Sequence, residues 1–181
     1  IAAIILVIGA LFAYGWYQDQ QNIEANKDMF QAVYYFEADS FSKALNGDGQ
    51  YLGFLNVAED YPGTEAENMA NYYIGLIYLN SGTPQVDLGI EYLEKVPESN
   101  TMLGMSRNMA LAFAYEEQND PQKAAELFED AAYLPAENDQ TTPTMLLNAG
   151  RNFEAAGQAS DALRVYQTIK DDYPLSTESL N

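Results

Sequence analysis

Two stretches of the chain carry the same spacing of small and aromatic residues, and such repetition constrains the fold more strongly than any single motif. The first stretch has a small, an aromatic, a turn, a small, an aromatic and an apolar residue, at Ala112, Tyr115, Asn119, Ala124, Phe128 and Ala131. Adding 38 to each number gives the second stretch, at Gly150, Phe153, Gly157, Ala162, Tyr166 and Ile169. Agreement at all six positions indicates a repeat protein.

A third copy lies upstream and has two additional residues in its turn; its residues are Gly75, Tyr78, Gly82, Gly89, Leu93 and Val96. Pro174 closes the last copy, and Pro62 indicates a degenerate copy further upstream. The spacing resembles the tetratricopeptide repeat, a helix-turn-helix unit of about 34 residues. This resemblance covers residues 50–175. It implies an all-α solenoid of helical hairpins, for which we take residues 50–181 as the repeat domain.

Composition excludes several classes of function. The net charge is −19, from 27 acids and 8 bases, and such a surface repels nucleic acid and anionic lipid headgroups. The acidity serves either solubility or the recruitment of basic partners. The chain has no Cys and no His, which removes thiol nucleophiles, imidazole bases and the usual zinc ligands. We therefore predict no metal, no cofactor, no small-molecule substrate and no enzymatic activity.

Residues 1–17 form an uncharged apolar run. As a helix the run would cover roughly 25 Å of the ~30 Å hydrocarbon core, so we expect part of the span to precede Ile1. Tyr14, Trp16 and Tyr17 at its end are typical of a membrane interface. The alternatives are a signal peptide, which would end in small residues, and a buried helix, which would have a polar face. We predict a single transmembrane anchor.

The residues after the run predict which side of the membrane the repeats face. Lys27 and Lys43 are the only bases before Lys95, whereas cytoplasmic flanks are rich in Lys and Arg. This favours a single-pass protein of the bacterial inner membrane with its repeats in the periplasm. Residues 18–49 form an exit helix and a turn, with the helix predicted over 18–44. Gly82 and Gly157 are expected to end helices in the left-handed conformation.

The resemblance also implies a binding groove, because in this repeat family the first helix of each unit forms the concave face. Carrying those positions over gives the groove residues Met69, Tyr72, Leu76, Asn80, Met109, Phe113, Glu116, Glu117, Leu147 and Arg151. Apolar side chains predominate and acids lie at one rim. Such a lining suits a peptide with apolar anchors and basic flanks. In the alternative, these side chains pack against neighbouring helices and fill the groove.

One N-terminal span followed by repeats resembles the layout of the ancillary subunit family of the bacterial SecYEG translocon, with Gly15-Trp16-Tyr17 at the membrane exit. That resemblance implies a scaffold or holdase whose partners are translocon or chaperone subunits or emerging polypeptide. A second hypothesis is a structural subunit of another envelope complex that does not use the groove. A third is a regulator whose repeats sense a ligand.

Overall fold

The computed structural model describes residues 2–136 and 140–180, and the regular structure within those ranges is entirely helical, which confirms the all-α prediction. The chain forms two compact units, Ile1–Thr83 and Pro84–Asn181. The first unit contains α1 (Ala2–Glu37), α2 (Phe41–Asn46), α3 (Phe54–Asp60) and α4 (Glu65–Asn80). The second contains α5 (Val86–Lys95), α6 (Met102–Glu117), α7 (Pro121–Ala132), α8 (Thr142–Ala155), α9 (Ala159–Asp172) and a 3-10 turn (Glu178–Leu180).

In the second unit, the two copies of the repeated spacing form the hairpins α6–α7 and α8–α9. Asn119 and Gly157 hold the same place in the two hairpins and have φ angles of 58° and 74°. The N–H of Asp120 donates to the carbonyl of Tyr115 at 2.9 Å, and the N–H of Gln158 donates to that of Phe153 at 2.8 Å. The left-handed turn predicted at Gly157 is therefore confirmed.

One apolar core joins α6, α7, α8 and α9 in the second unit. Phe128 on α7 and Leu146 on α8 are completely buried within it. A β-carbon on Gly150 would lie 2.2 Å from Cε1 of Tyr166, which explains why a small residue stands at this position of α8. The small residues of the pattern thus let the two helices of a hairpin approach closely.

Helix α8 begins with a pair of threonines that have different roles. The N-cap is Thr141, and Thr142 is the first residue of the helix. The hydroxyl of Thr142 is buried and donates to the carbonyl of Ala132 at 2.8 Å. Thr142 therefore fastens α8 to the end of α7, because a buried hydroxyl requires a hydrogen-bond partner.

The first unit contains an additional hairpin, with a turn inside the range 18–44 for which the sequence predicts one continuous helix. The chain leaves α1 after Glu37, with Asp39 at a φ of 53°, and the N–H of Ser40 donates to the carbonyl of Tyr35 at 2.8 Å. This is the turn found in the other two hairpins. Ala32 and Ala44 are completely buried on its two sides. The prediction of an uninterrupted helix is wrong, because Asp39 adopts the left-handed conformation that ends it.

The second helix of this additional hairpin is divided into α2 and α3. Gly47 and Gly53 border the interruption, and a β-carbon on Gly53 would lie 2.3 Å from the backbone N of Gly47. Phe54 and Val57, both completely buried, continue the pattern beyond it, and Pro62 follows at the closing position. Helices α1 to α3 therefore form a repeat whose second helix is broken.

Helix α4 packs on this hairpin through aromatic contacts. The ring of Tyr73 stacks on Phe54 with 4.8 Å between centroids and meets the edge of Phe36 at 4.9 Å. Near the start of α4, the N–H of Ala66 donates to Oδ1 of Asn22 on α1 at 3.1 Å. The first unit is thus one hairpin followed by the first helix of the next copy.

The end of α4 contradicts the left-handed turn predicted at Gly82. Ser81 follows α4 in an extended conformation, with φ −66° and ψ 156°, and Gly82 is absent from the positive-φ residues of the described chain. The boundary between the units falls directly afterwards, between Thr83 and Pro84. The upstream copy of the pattern is therefore shared between the two units.

Candidate functional site

The second unit presents the predicted groove residues of α6 on its accessible surface. Met109 is half-buried, and Phe113, Glu116 and Glu117 are exposed. Spacings of four and three residues place Met109, Phe113 and Glu116 on one side of the helix. The ring of Phe113 is 49% exposed, and its other face meets the buried ring of Phe128 edge-on at 5.0 Å. This face of α6 is apolar at Met109 and Phe113 and acidic at its C-terminal end.

Helix α8 brings the next predicted groove residues beside this face. Leu147 is half-buried and Arg151 is exposed. Between the helices, Nδ2 of Asn152 donates to Oε1 of Glu116 at 2.6 Å. The structure therefore brings all six predicted residues of the second unit to accessible positions on two helices joined by this hydrogen bond.

A cleft of about 430 Å³ continues the surface of α8 toward the C-terminal end of the described chain. Its wall includes Leu147 and Arg151 from the predicted set and adds Tyr166, Lys170 and Glu178. The sequence analysis missed these three residues because it assigned the groove to first helices only. Nothing in the sequence of the tail indicates that Glu178 returns to α8.

Hydrogen bonds fix two polar side chains in the cleft. The hydroxyl of Thr144 donates to Oε1 of Glu178 at 2.8 Å, and this bond lowers the pKa of the Glu178 carboxyl. Burial, and then the hydrogen bond that its hydroxyl donates to Glu154 at 3.0 Å, raise the pKa of Tyr166. Glu178 therefore stays ionised and Tyr166 neutral near pH 7, so both charge states are constant over physiological pH.

The first unit carries the remaining predicted groove residues on α4. Met69, Tyr72 and Leu76 are half-buried, and Asn80 is exposed. Nδ2 of Asn80 donates to the carbonyl of Leu76 at 2.8 Å, which places this amide at the end of the helix. Helical spacing sets these residues on one side of α4, as the prediction requires. Whether they bind a partner stays a prediction.

The N-terminal part of α1 is apolar and unpacked. Every side chain from Leu6 to Tyr17 is exposed, including the predicted interface residues Tyr14 and Trp16. Ile1, where the predicted span begins, lies outside the described residues. Over the residues that the structure describes, no helix combines the length and apolarity that crossing a membrane requires.

The site carries apolar and acidic side chains on one accessible surface. Within residues 2–136 and 140–180, no three acidic, Cys or His side chains come close enough to hold a metal ion. The groove face of α6 supplies Met109 and Phe113 for apolar contacts and two carboxylates for contact with cations.

One segment of the second unit is similar to a known protein family. Residues 145–176 match the family model described as the tetratricopeptide repeat. The second unit contains a tetratricopeptide repeat. This range holds most of α8, all of α9 and Pro174, and it supports the interpretation of the chain as a tetratricopeptide repeat protein that acts as a scaffold for protein–protein interaction. No curated protein and no solved structure matches the chain.

Proposed function

We propose that this protein is a membrane-anchored scaffold that binds other proteins along the groove formed by α6 and α8. The exposed ring of Phe113 is the observation that carries the proposal. Phe128 and Leu146 in the same unit are completely buried, whereas Phe113 on α6 is 49% exposed and Leu147 on α8 is half-buried. Apolar side chains that a well-packed unit leaves open on one face are typical of interaction surfaces.

The chemistry of the groove selects the partner. Met109 and Phe113 accommodate apolar anchors, since the thioether is adaptable and the ring offers a large contact area with few rotamers to fix. Glu116 and Glu117 at one end attract Lys or Arg in the bound segment. The ligand that fits is an extended or helical peptide with apolar anchors and a basic flank.

The proposed anchor is the N-terminal part of α1. A helix that is apolar on all sides is stable in lipid or in a protein core, and Leu6 to Tyr17 meet no core here. Tyr14, Trp16 and Tyr17 would lie at the headgroups, and the scarcity of bases after them favours a periplasmic location in a bacterium.

This location can be tested by labelling a single introduced cysteine, because the chain has none of its own. Leu175→Cys should react with a membrane-impermeant maleimide in intact spheroplasts, and reaction only after lysis would place the repeats in the cytoplasm.

We further propose that the scaffold serves the Sec translocon as an ancillary subunit or holdase. The support is the layout of an apolar N-terminal segment followed by helical repeats. Deleting residues 50–181 while keeping the anchor should abolish co-purification with the channel or its periplasmic chaperones. Unchanged co-purification would reject this role and leave the structural subunit of another envelope complex as the alternative.

The groove itself is tested by substitution in the full chain. Phe113→Ser together with Leu147→Ser should weaken binding of the co-purified partner by roughly tenfold or more, because both remove apolar contact area from the centre of the surface. Leu163→Ser is the control, since Leu163 is an exposed apolar residue on α9 outside the groove. Equal affinity of the two variants would show that the groove is not the binding surface.

A further inference from the structure

The C-terminal half of α1 has an apolar stripe on the side turned away from the first unit. The stripe consists of Ile23, Phe30 and Tyr34, whose side chains are 50%, 73% and 59% exposed. Spacings of seven and four residues align them along one side of the helix over roughly 16 Å. On the opposite side Ala25 and Ala32 are completely buried. An amphipathic helix ordinarily carries polar residues where this stripe lies.

The stripe corresponds to the face by which α4 packs on the hairpin before it. Ala32 of the first repeat corresponds to Gly75 of the next, so Phe30 corresponds to Tyr73 and Tyr34 to Ile77. Tyr73 stacks on Phe54 of α3, and Ile77 is buried. The face that α4 covers with a preceding helix is thus open on α1.

In the second unit, the residues equivalent to Tyr34 are also buried. Tyr34 corresponds to Ala114 on α6 and to Asn152 on α8, and both of these residues are buried. At this position the first helix of each later repeat is therefore buried, whereas on α1 the equivalent Tyr34 and its neighbour Phe30 are exposed. The stripe has the character of a repeat-to-repeat contact surface.

Charge decides what kind of helix fits the stripe. The first unit has ten acids and two bases in residues 1–83. Asp19, Glu24 and Glu37 lie on α1 beside the stripe, and Lys27 is the only base within it. A second copy would bring two strongly acidic units together, and like charges repel. A helix with flanking Lys or Arg residues is attracted instead.

We propose that the stripe of Ile23, Phe30 and Tyr34 binds an amphipathic helix of another protein, apolar on one face with basic flanks, docked on α1 as α3 docks on α4. This surface goes beyond the function proposed above. The stripe belongs to the first unit and the groove belongs to the second. Substitutions in one unit therefore test one proposal without affecting the other.

The experiment measures binding of a fluorescent helical peptide of about 18 residues, with leucines on one face and lysines elsewhere, to the full chain in zwitterionic nanodiscs. Ile23→Ser with Phe30→Ser should weaken binding at least about tenfold, because apolar contact area is lost from the centre of the stripe. Met102→Ser with Leu163→Ser is the control, made at exposed apolar residues of the second unit, and should leave the affinity unchanged. Lys27→Glu should strengthen binding by roughly threefold, since it removes the one repelling charge.

Three results would overturn the proposal. Equal affinities of the stripe and control variants would place the peptide elsewhere on the acidic surface. Equal binding of a matched peptide with glutamates in place of lysines would remove the charge argument. Disulfide dimers of Phe30→Cys, in a chain that otherwise has no cysteine, would identify a second copy as the occupant. Circular dichroism confirms that each variant is folded, which is expected because the substituted side chains are exposed.

Discussion

Gly53 is the residue on which the broken helix of the first repeat depends. A β-carbon there would lie 2.4 Å from the carbonyl oxygen of Leu45 and 2.6 Å from the carbonyl carbon of Asn46. Both neighbours are backbone atoms that cannot swing aside. The close approach brings the start of α3 next to the end of α2 in space. Phe54, the first residue of α3, therefore enters the core of the first unit.

We predict that Gly53→Ala lowers the free energy of unfolding by about 1–3 kcal/mol, because the added methyl group overpacks a backbone contact. The measurement is urea denaturation followed by circular dichroism. Gly82→Ala is the control, since a β-carbon on Gly82 would meet nothing within 4 Å and the φ of Gly82 is not positive. Equal stability of the two variants would contradict the close packing described for Gly53.

Asp48, within the same interruption, makes the stability of the fold depend on pH. Its carboxylate accepts from the hydroxyl of Tyr35 at 2.6 Å and from the backbone N–H groups of Gln50 and Tyr51 at 2.9 Å each. The hydrogen bond from Tyr35, followed by those from the backbone, lowers the pKa of Asp48 from 3.8 to about 2. A carboxyl group whose pKa is lowered by folding stabilises the folded state at pH values above its pKa in the unfolded chain. This contribution disappears as the pH falls from 4 toward 2.

Accordingly, we expect the stability difference between the natural chain and Asp48→Asn to shrink as the pH is lowered from 4 toward 2. Urea denaturation at several pH values measures it. Tyr35→Phe removes the same hydrogen bond and should show the same pH window. A difference that stays constant over this range would show that Asp48 is not held ionised by Tyr35.

At the scale of elements, one helix–turn–helix arrangement recurs three times, with the left-handed residue supplied by Asp39, Asn119 and Gly157. The turn needs a residue that tolerates a positive φ, and glycine, asparagine and aspartate do so at the lowest cost. The hairpins therefore share a backbone although their turn residues differ.

For this turn, Gly157→Ala should lower the free energy of unfolding by about 1 kcal/mol, because alanine is strained in the left-handed conformation. Gly157→Asn should cost less, since Asn119 fills the equivalent place in α6–α7. Thermal or urea unfolding of the two variants measures which substitution lowers the stability more. Greater stability of the alanine variant would contradict the conformation assigned to this turn.

The same comparison shows what the sequence could and could not predict. The hairpins α6–α7 and α8–α9 were predictable because their positions match at a constant offset. In the first hairpin the pattern begins at Ala32 and Tyr35, and its first four positions match those of the other two. Residues 47–53 then interrupt the second helix, so the last two positions no longer fall at the constant offset. Gly82 was misjudged because glycine permits a left-handed turn without requiring one. Tyr166 and Lys170 were missed because the groove was assigned to the first helices, and Glu178 because a tail without periodicity gives no signal of where it packs.

On the scale of the whole molecule, apolar surface and negative charge occur together. The chain carries a net charge of −19, yet Phe30, Phe113 and the run from Leu6 to Tyr17 expose apolar side chains. Negative charge steers basic partners toward the proposed binding surfaces, where the rings of Phe30 and Phe113 supply apolar contact area. The proposed binding of other proteins accounts for the charge and for these two rings, and the proposed anchor accounts for the apolar run.

The most direct test of this account is photocrosslinking in native membranes, with p-benzoylphenylalanine in place of Phe113 on the groove or of Leu163 on α9. The account predicts a discrete crosslink from position 113 to another protein, and no such product from position 163. Absence of a product from position 113, or the same products from both positions, would contradict binding at the groove.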